Sequence, residues 1–327
     1  MKKIKLLGIV IAVLIMMAAC NQADEGKNDE SSGDAKFKIG INQLVEHKAL
    51  DDSREGFIEG LKSEGVEAEI IAENAQGETA AAGTIAEKLV GDKVDLILAI
   101  ATPAAQATQR VATETPVLFT AVTDPAEAGI VESNEAPEAN VTGTSDKADV
   151  KSQLEMFHEI DPDIKTIGLI YNTSEANSET QIAEVEEIAP QIGLETEKVG
   201  VNNINDIPQA IQTLISKVDA VYLISDNMVA DSIEVIAEAM KEKKMISIAS
   251  EESMVSGGAL MTNGLSYYEL GKLTAKMAKE ILVDGKKPSE LPVRYLDEKI
   301  TKLNEGTLKA LGLDKNLEIF KDATIVD

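Results

Sequence analysis

Asp95-Leu96-Ile97-Leu98-Ala99-Ile100 is an apolar run, and Ala101-Thr102-Pro103-Ala104-Ala105-Gln106 follows it at once. A near-continuous apolar run of this length is a strand buried on both faces, which belongs to a parallel sheet covered by helices. The small and polar residues after it, with an early proline, open a helix expected over 104–112. The next apolar run, 117–122, is the strand to which that helix leads.

The same alternation extends outward in both directions. Upstream, strands are expected over 38–42 and 66–72, with helices over 50–64 and 78–90. Downstream, the pattern pauses around 141–145 and restarts. Helices are expected over 150–160, 178–188, 207–216, 233–242 and 267–283, with strands over 166–171, 195–201, 220–224, 245–249 and 259–262. Strands alternating with helices make βαβ units. The fold class is therefore α/β, with two doubly wound parallel-sheet lobes joined by a hinge.

The chain has 327 residues and is 44% hydrophobic, enough for two domains with real cores. Its net charge of −26 repels phosphate backbones and argues against nucleic acid as a partner. A single cysteine and two histidines leave little for zinc or for His-based catalysis, so no metal and no cofactor are expected. Phosphate-loop, nucleophile-elbow and zincin motifs are absent from the sequence. The chain is not expected to be an enzyme.

The N-terminus reads as an export signal. Lys2, Lys3 and Lys5 precede an uncharged stretch, 6–19, that ends at Met17-Ala18-Ala19-Cys20. Small residues before the only cysteine resemble a lipobox, so 1–19 is expected to be a signal peptide and Cys20 the site of lipidation, for instance with palmitate. Residues 20–36 lack large apolar side chains and are expected to be a flexible tether.

In open α/β sheets, ligands bind beyond the carboxyl ends of the strands. Small-polar or acidic clusters stand at those places: Thr102 to Gln106; Thr123 and Asp124; Tyr171, Asn172, Ser174, Glu175, Asn177 and Ser178; Ser225, Asp226 and Asn227; and Ser250 and Glu251. Any one cluster is explained by helix capping; five at the same edges of two sheets are expected to line a cleft between lobes. Gln43 stands after the first strand. His47 is expected at the rim and His158 on the surface; Tyr267 and Tyr268, at a helix start, are expected in packing, with gating of the cleft as the alternative. The N–H groups of Ala104, Ala105 and Gln106, with the hydroxyls of Thr102 and Ser174, would take a ligand carboxylate. Asp226, with Asn227, would take an ammonium.

Several stretches, in this order, carry a resemblance: Ile39-Gly40-Ile41-Asn42-Gln43, Ile100-Ala101-Thr102-Pro103-Ala104-Ala105-Gln106, Thr123-Asp124-Pro125, Asn140-Val141-Thr142-Gly143-Thr144-Ser145-Asp146, and Ser174-Glu175-Ala176-Asn177-Ser178. The chain resembles the bacterial ABC-transporter substrate-binding proteins of the tryptophan/tyrosine-binding type, which have a type I periplasmic-binding fold. The resemblance implies a lipid-anchored, extracytoplasmic, monomeric receptor that hands an aromatic amino acid (tryptophan, tyrosine or phenylalanine) to ABC permease subunits. A sensory receptor presenting its ligand to a membrane kinase or chemoreceptor is the alternative. The resemblance also implies lobe one over 37–145 and 262–290, and lobe two over 146–261 and 291–327.

Overall fold

The computed structural model describes residues 37–326. The signal segment, Cys20 and the tether lie outside the described residues. The first sheet is wholly parallel, in the order β2-β1-β3-β4-β5. Its strands are β1 (Phe37–Gln43), β2 (Ala68–Asn74), β3 (Leu96–Ile100), β4 (Val117–Val122) and β5 (Val141–Ser145), and the helices between them are α1 (Lys48–Ser63), α2 (Thr79–Gly91) and α3 (Thr102–Val111). The β3 run behaves as its composition demands. Leu96, Leu98 and Ile100 enter one core with Leu50 and Phe57 of α1, while Ile97 and Ala99 enter the opposite core with Leu89 of α2. That division is the period-two alternation of a strand with a helix layer on each side.

The second sheet has seven strands in the order β12-β11-β10-β9-β8-β6-β7. They are β6 (Thr166–Asn172), β7 (Glu195–Val201), β8 (Ala220–Leu223), β9 (Ile246–Ala249), β10 (Met261–Gly264), β11 (Ile300–Asn304) and β12 (Thr324–Val326). Only the β10–β11 pair is antiparallel. The accompanying helices are α4 (Val150–Ile160), α5 (Ala176–Ile188), α6 (Ile207–Leu214), α7 (Asn227–Asp231), α8 (Ile233–Glu242), α9 (Glu252–Ser256), α10 (Tyr267–Leu282) and α11 (Glu305–Leu311). Phe157 and Ile182 pack on one face of the sheet, and Ile211 and Ile236 on the other.

Helix α10 follows the second sheet in sequence but packs on the first. Leu270 and Met277 share a core with Phe57 and Leu61 of α1. The two helices nearly touch. A Cβ on Gly56 would lie 2.0 Å from the Tyr268 carbonyl oxygen, and one on Gly271 would lie 2.1 Å from that of Ser53. Glycine at these two positions is what allows the backbones to approach so closely.

The chain passes between the sheets at three places. Residues 146–149 join β5 to α4, 265–266 join β10 to α10, and 295–299 lead to β11 after Arg294 pairs with Thr144. The boundary drawn at 261/262 therefore runs through β10, a strand of the second sheet. The boundary at 290/291 precedes Leu291 and Val293, which pack in the cores of the first. Residues 141–145, where the sequence pattern pauses, form the fully buried β5. Its open side is covered because Thr142 Oγ1 donates to the Leu291 carbonyl at 2.8 Å, and Arg294 N–H to that of Gly143 at 3.0 Å.

Candidate functional site

The carboxyl ends of strands from both sheets, with α10, line a narrow cavity of about 20 Å³ between the sheets. From the first sheet and the helices on it come His47, Ala49, Leu50, Ala121, Thr123 and Tyr267. From the second come Asn177, Ser225, Asp226, Asn227, Ala230, Glu251 and Met254, and Asp146 lies where the chain first crosses. The lining contains no lysine and no arginine.

Three buried carboxylates face this space, and each is held differently. Asp226 caps α7 through the Val229 N–H at 2.9 Å, and its other oxygen accepts from the Asn172 N–H and the Ser178 hydroxyl, each at 2.6 Å. Glu251 caps α9, accepting from the Ser253 hydroxyl at 2.7 Å and the Met254 N–H at 3.1 Å. Asp146 accepts from the Tyr267 hydroxyl on Oδ2, while Oδ1 has no partner. Burial raises the pKa of all three, that of Glu251 to about 7. Behind Asp226, the Glu175 carboxyl is pushed up by burial and then by the Asp226 charge.

His47 is a wall residue rather than the rim residue expected. Its Nε2 lies 3.3 Å from Asn227 Oδ1, a contact that spans the two sheets. Burial lowers its pKa to about 4, so the ring is neutral at neutral pH. His158, expected on the surface, is half-buried, with Nε2 3.1 Å from the Ile164 carbonyl.

Of the residues singled out in the sequence, Thr123, Asn177, Ser225, Asp226, Asn227 and Glu251 line the cavity. Asn172, Ser174 and Glu175 border an adjoining groove that shares Asn227. The others are absent from the cavity wall, most of them engaged by neighbours. Gln43 donates to the Val45 carbonyl and to Asp51 and accepts from Arg54. Gln106 donates to the Ala128 carbonyl, and Asp124 pairs with Lys147 at 3.2 Å. Ser178 is spent on Asp226, and Tyr171 packs in the second sheet's core. The Ala105 N–H, expected to be free for a carboxylate, already donates to the Ala101 carbonyl at 3.0 Å. Ala104 is core, and Thr102 is buried away from the cavity.

Sequence reasoning missed Asp146, Leu50 and Met254 as wall residues, while Ser225, expected at the cleft with its cluster, does line the cavity. Asp146 follows β5, whose sequence Val-Thr-Gly-Thr-Ser lacks the apolar run that marks the strands before Thr123 and Asp226. Tyr267, for which packing was expected and gating of the cleft was the alternative, is a wall residue because its helix returns to a sheet more than a hundred residues upstream.

The family model for ABC transporter substrate binding proteins matches residues 38–326. The chain belongs to this family. Among its relatives is a tyrosine-binding protein of Clostridioides difficile, 40% identical over 325 residues, covering 96% of this chain and 94% of the relative. A Streptococcus pneumoniae ABC domain solved in complex with L-Trp is 33% identical, with a TM-score of 0.85 over 89% of this chain and 99% of that one. A ligand-free, open substrate-binding protein with adhesive properties from Clostridium difficile is 40% identical, with a TM-score of 0.69 over the same shares. This ABC-transporter substrate-binding protein therefore has the type I periplasmic-binding fold that the resemblance implied. Proteins of this family act outside the cytoplasm. Among the described residues, no helix is long and apolar enough to cross a membrane.

Proposed function

We propose that this substrate-binding protein captures one aromatic amino acid between its lobes and delivers it to an ABC permease. The observation that carries the reading is the cavity wall, with three buried carboxylates, hydroxyls and amides, and no basic side chain. Such a wall demands a cation from the solute, since buried carboxylates without a counter-charge are strongly disfavoured. Leu50, Met254, Ala121 and the Tyr267 ring supply the apolar wall for its side chain. Thr123 and Ser225 offer hydroxyls for its carboxylate.

The shape supports a clamp that closes about the three crossing segments. The chain resembles the Trp-complexed relative more closely than the open one, although its sequence is nearer the open one. A monomer with lobes moving about such a hinge is the form this reading requires.

Thermal denaturation of the chain without residues 1–20, against the twenty amino acids, tests the ligand class. Tyrosine, tryptophan or phenylalanine at 100 times its dissociation constant is expected to stabilise the protein by about 2.7 kcal/mol. Stabilisation by another solute, with none by these three, refutes the aromatic assignment.

The same reading places the protein on the outer face of the membrane through lipid at Cys20, tethered by 20–36. Cys20→Ser is expected to move it from the membrane fraction to the soluble fraction on cell fractionation. Retention of the variant with the membranes refutes the anchor.

A further inference from the structure

Buried polar atoms are nearly always paired, so each exception calls for a physical explanation. Six buried side-chain atoms among the described residues have no partner, and three of them belong to side chains of the cavity wall. These are His47 Nδ1, Asp146 Oδ1 and Asn177 Oδ1. One comes from the first lobe, one from a crossing segment and one from the second lobe.

We infer that these three atoms form an acceptor cage for a primary ammonium, and that Glu175 is the positioning residue that orients two of its three members. The inference rests on the proposed amino-acid reading and names the group of the solute that this part of the cavity takes.

Each acceptor is free because a donor or acceptor elsewhere commits the other end of its side chain. Tyr267 donates to Asp146 Oδ2, which leaves Oδ1. The Asn177 amide nitrogen donates to Glu175 at 3.3 Å and to the Ser225 carbonyl at 3.0 Å, which leaves Asn177 Oδ1. The Asn227 amide nitrogen donates to Glu175 Oε2 at 2.5 Å, which turns Asn227 Oδ1 toward His47. A carbonyl oxygen only accepts, so His47 Nε2 carries the hydrogen. A neutral imidazole has one N–H, so Nδ1 is a bare lone pair. Glu175 is itself held by the Asn172 amide at 3.0 Å and is buried.

An ammonium has three N–H donors and no acceptor, which is the complement of this cage. A solute without the ammonium leaves three buried acceptors unpaired. A polar site of this kind rejects such an analogue far more strongly than an apolar pocket rejects a missing methylene.

Titration calorimetry on the protein with tyrosine, N,N-dimethyltyrosine and the des-amino analogue of tyrosine tests the cage. The des-amino compound is expected to bind about a thousandfold more weakly than tyrosine, or worse. The dimethyl compound, with one N–H left, is expected to fall between the two. Binding of the des-amino compound within tenfold of tyrosine overturns the cage. If no amino acid binds the wild type, the functional reading falls, and the cage with it.

Imidazole nitrogen NMR of the ligand-free protein tests the positioning role independently, and only two histidines need assignment. His47 is expected as the Nε2–H tautomer. In Glu175→Gln the new amide can donate to Asn227 and reverse it, so His47 is expected to shift toward Nδ1–H while affinity for tyrosine falls about tenfold or more. A wild-type Nδ1–H tautomer overturns the proposal. An unchanged tautomer in a folded Glu175→Gln variant overturns the role of Glu175. The wild-type spectrum and the analogue series decide the cage even if that variant does not fold.

Discussion

Asp146→Asn is expected to cost this protein most of its affinity for solute while leaving the fold intact. Asparagine has the shape of aspartate and keeps an oxygen to accept from the Tyr267 hydroxyl. What disappears is a buried negative charge with one oxygen unpartnered, in a wall that holds no lysine or arginine. Truncating one partner of a buried charge pair costs about 2–5 kcal/mol, roughly thirtyfold to several thousandfold in affinity. In the ligand-free protein the same charge is a liability, since burial disfavours it. The variant is therefore expected to melt no lower than wild type. Asp226→Ala is expected to do the opposite. It strands the Asn172 and Val229 N–H groups and the Ser178 hydroxyl, so its main effect is on stability, at about 1–3 kcal/mol for each buried donor left unpaired. Calorimetric titration and a melting curve on both variants separate the two roles. Full affinity in Asp146→Asn with lost affinity in a folded Asp226→Asn would return the ammonium to Asp226, where the sequence alone had placed it.

Solute capture is expected to strengthen as pH rises toward 7, while the ligand-free protein weakens over the same range. Burial raises Glu251 from 4.5 to about 7, and Asp146, Asp226 and Glu175 move in the same direction. Between the unfolded and folded pKa values the folded state holds more protons than the unfolded chain. Its stability must then fall with pH through that window. For Glu251 alone the shift corresponds to about 3 kcal/mol between pH 4.5 and 7. His47 opposes this. Its folded pKa is lowered to about 4, so it adds stability as pH rises from 4 to 6.5. Four raised carboxyls outweigh one lowered imidazole. An ammonium among the carboxylates favours their charged forms, so binding near pH 6 is expected to release protons. Calorimetry in two buffers of different ionisation enthalpy measures that release. Proton uptake on binding at pH 6, or a ligand-free melting temperature that climbs between pH 5 and 7, would contradict this electrostatic picture.

The alternation of apolar runs and helical patterns was enough to establish the two sheets. Burial on both faces of a strand such as Leu96–Ile100 is written in its own composition. The carboxyl-edge rule then pointed to the edge where the cavity lies, because βαβ topology puts every strand-to-helix turn on one side. Capping chemistry was equally local, and Asp226 and Glu251 do cap the short helices α7 and α9. Where the reading overreached, the missing information was distant. Gln43 is engaged by Arg54 from α1, Asp124 by Lys147, and Ser178 by Asp226 across 48 residues. Asp146 is completed by Tyr267, 121 residues away on a helix that returns to the first lobe. The sequence by itself determined most of the elements and the edge at which the polar clusters gather, because these follow from periodicity and short-range sterics, whereas β5, β11 and β12 were placed by the fold. Only the tertiary structure decided which polar atoms at that edge remain free to bind, because a hydrogen bond made to a remote neighbour satisfies an atom as fully as a ligand would.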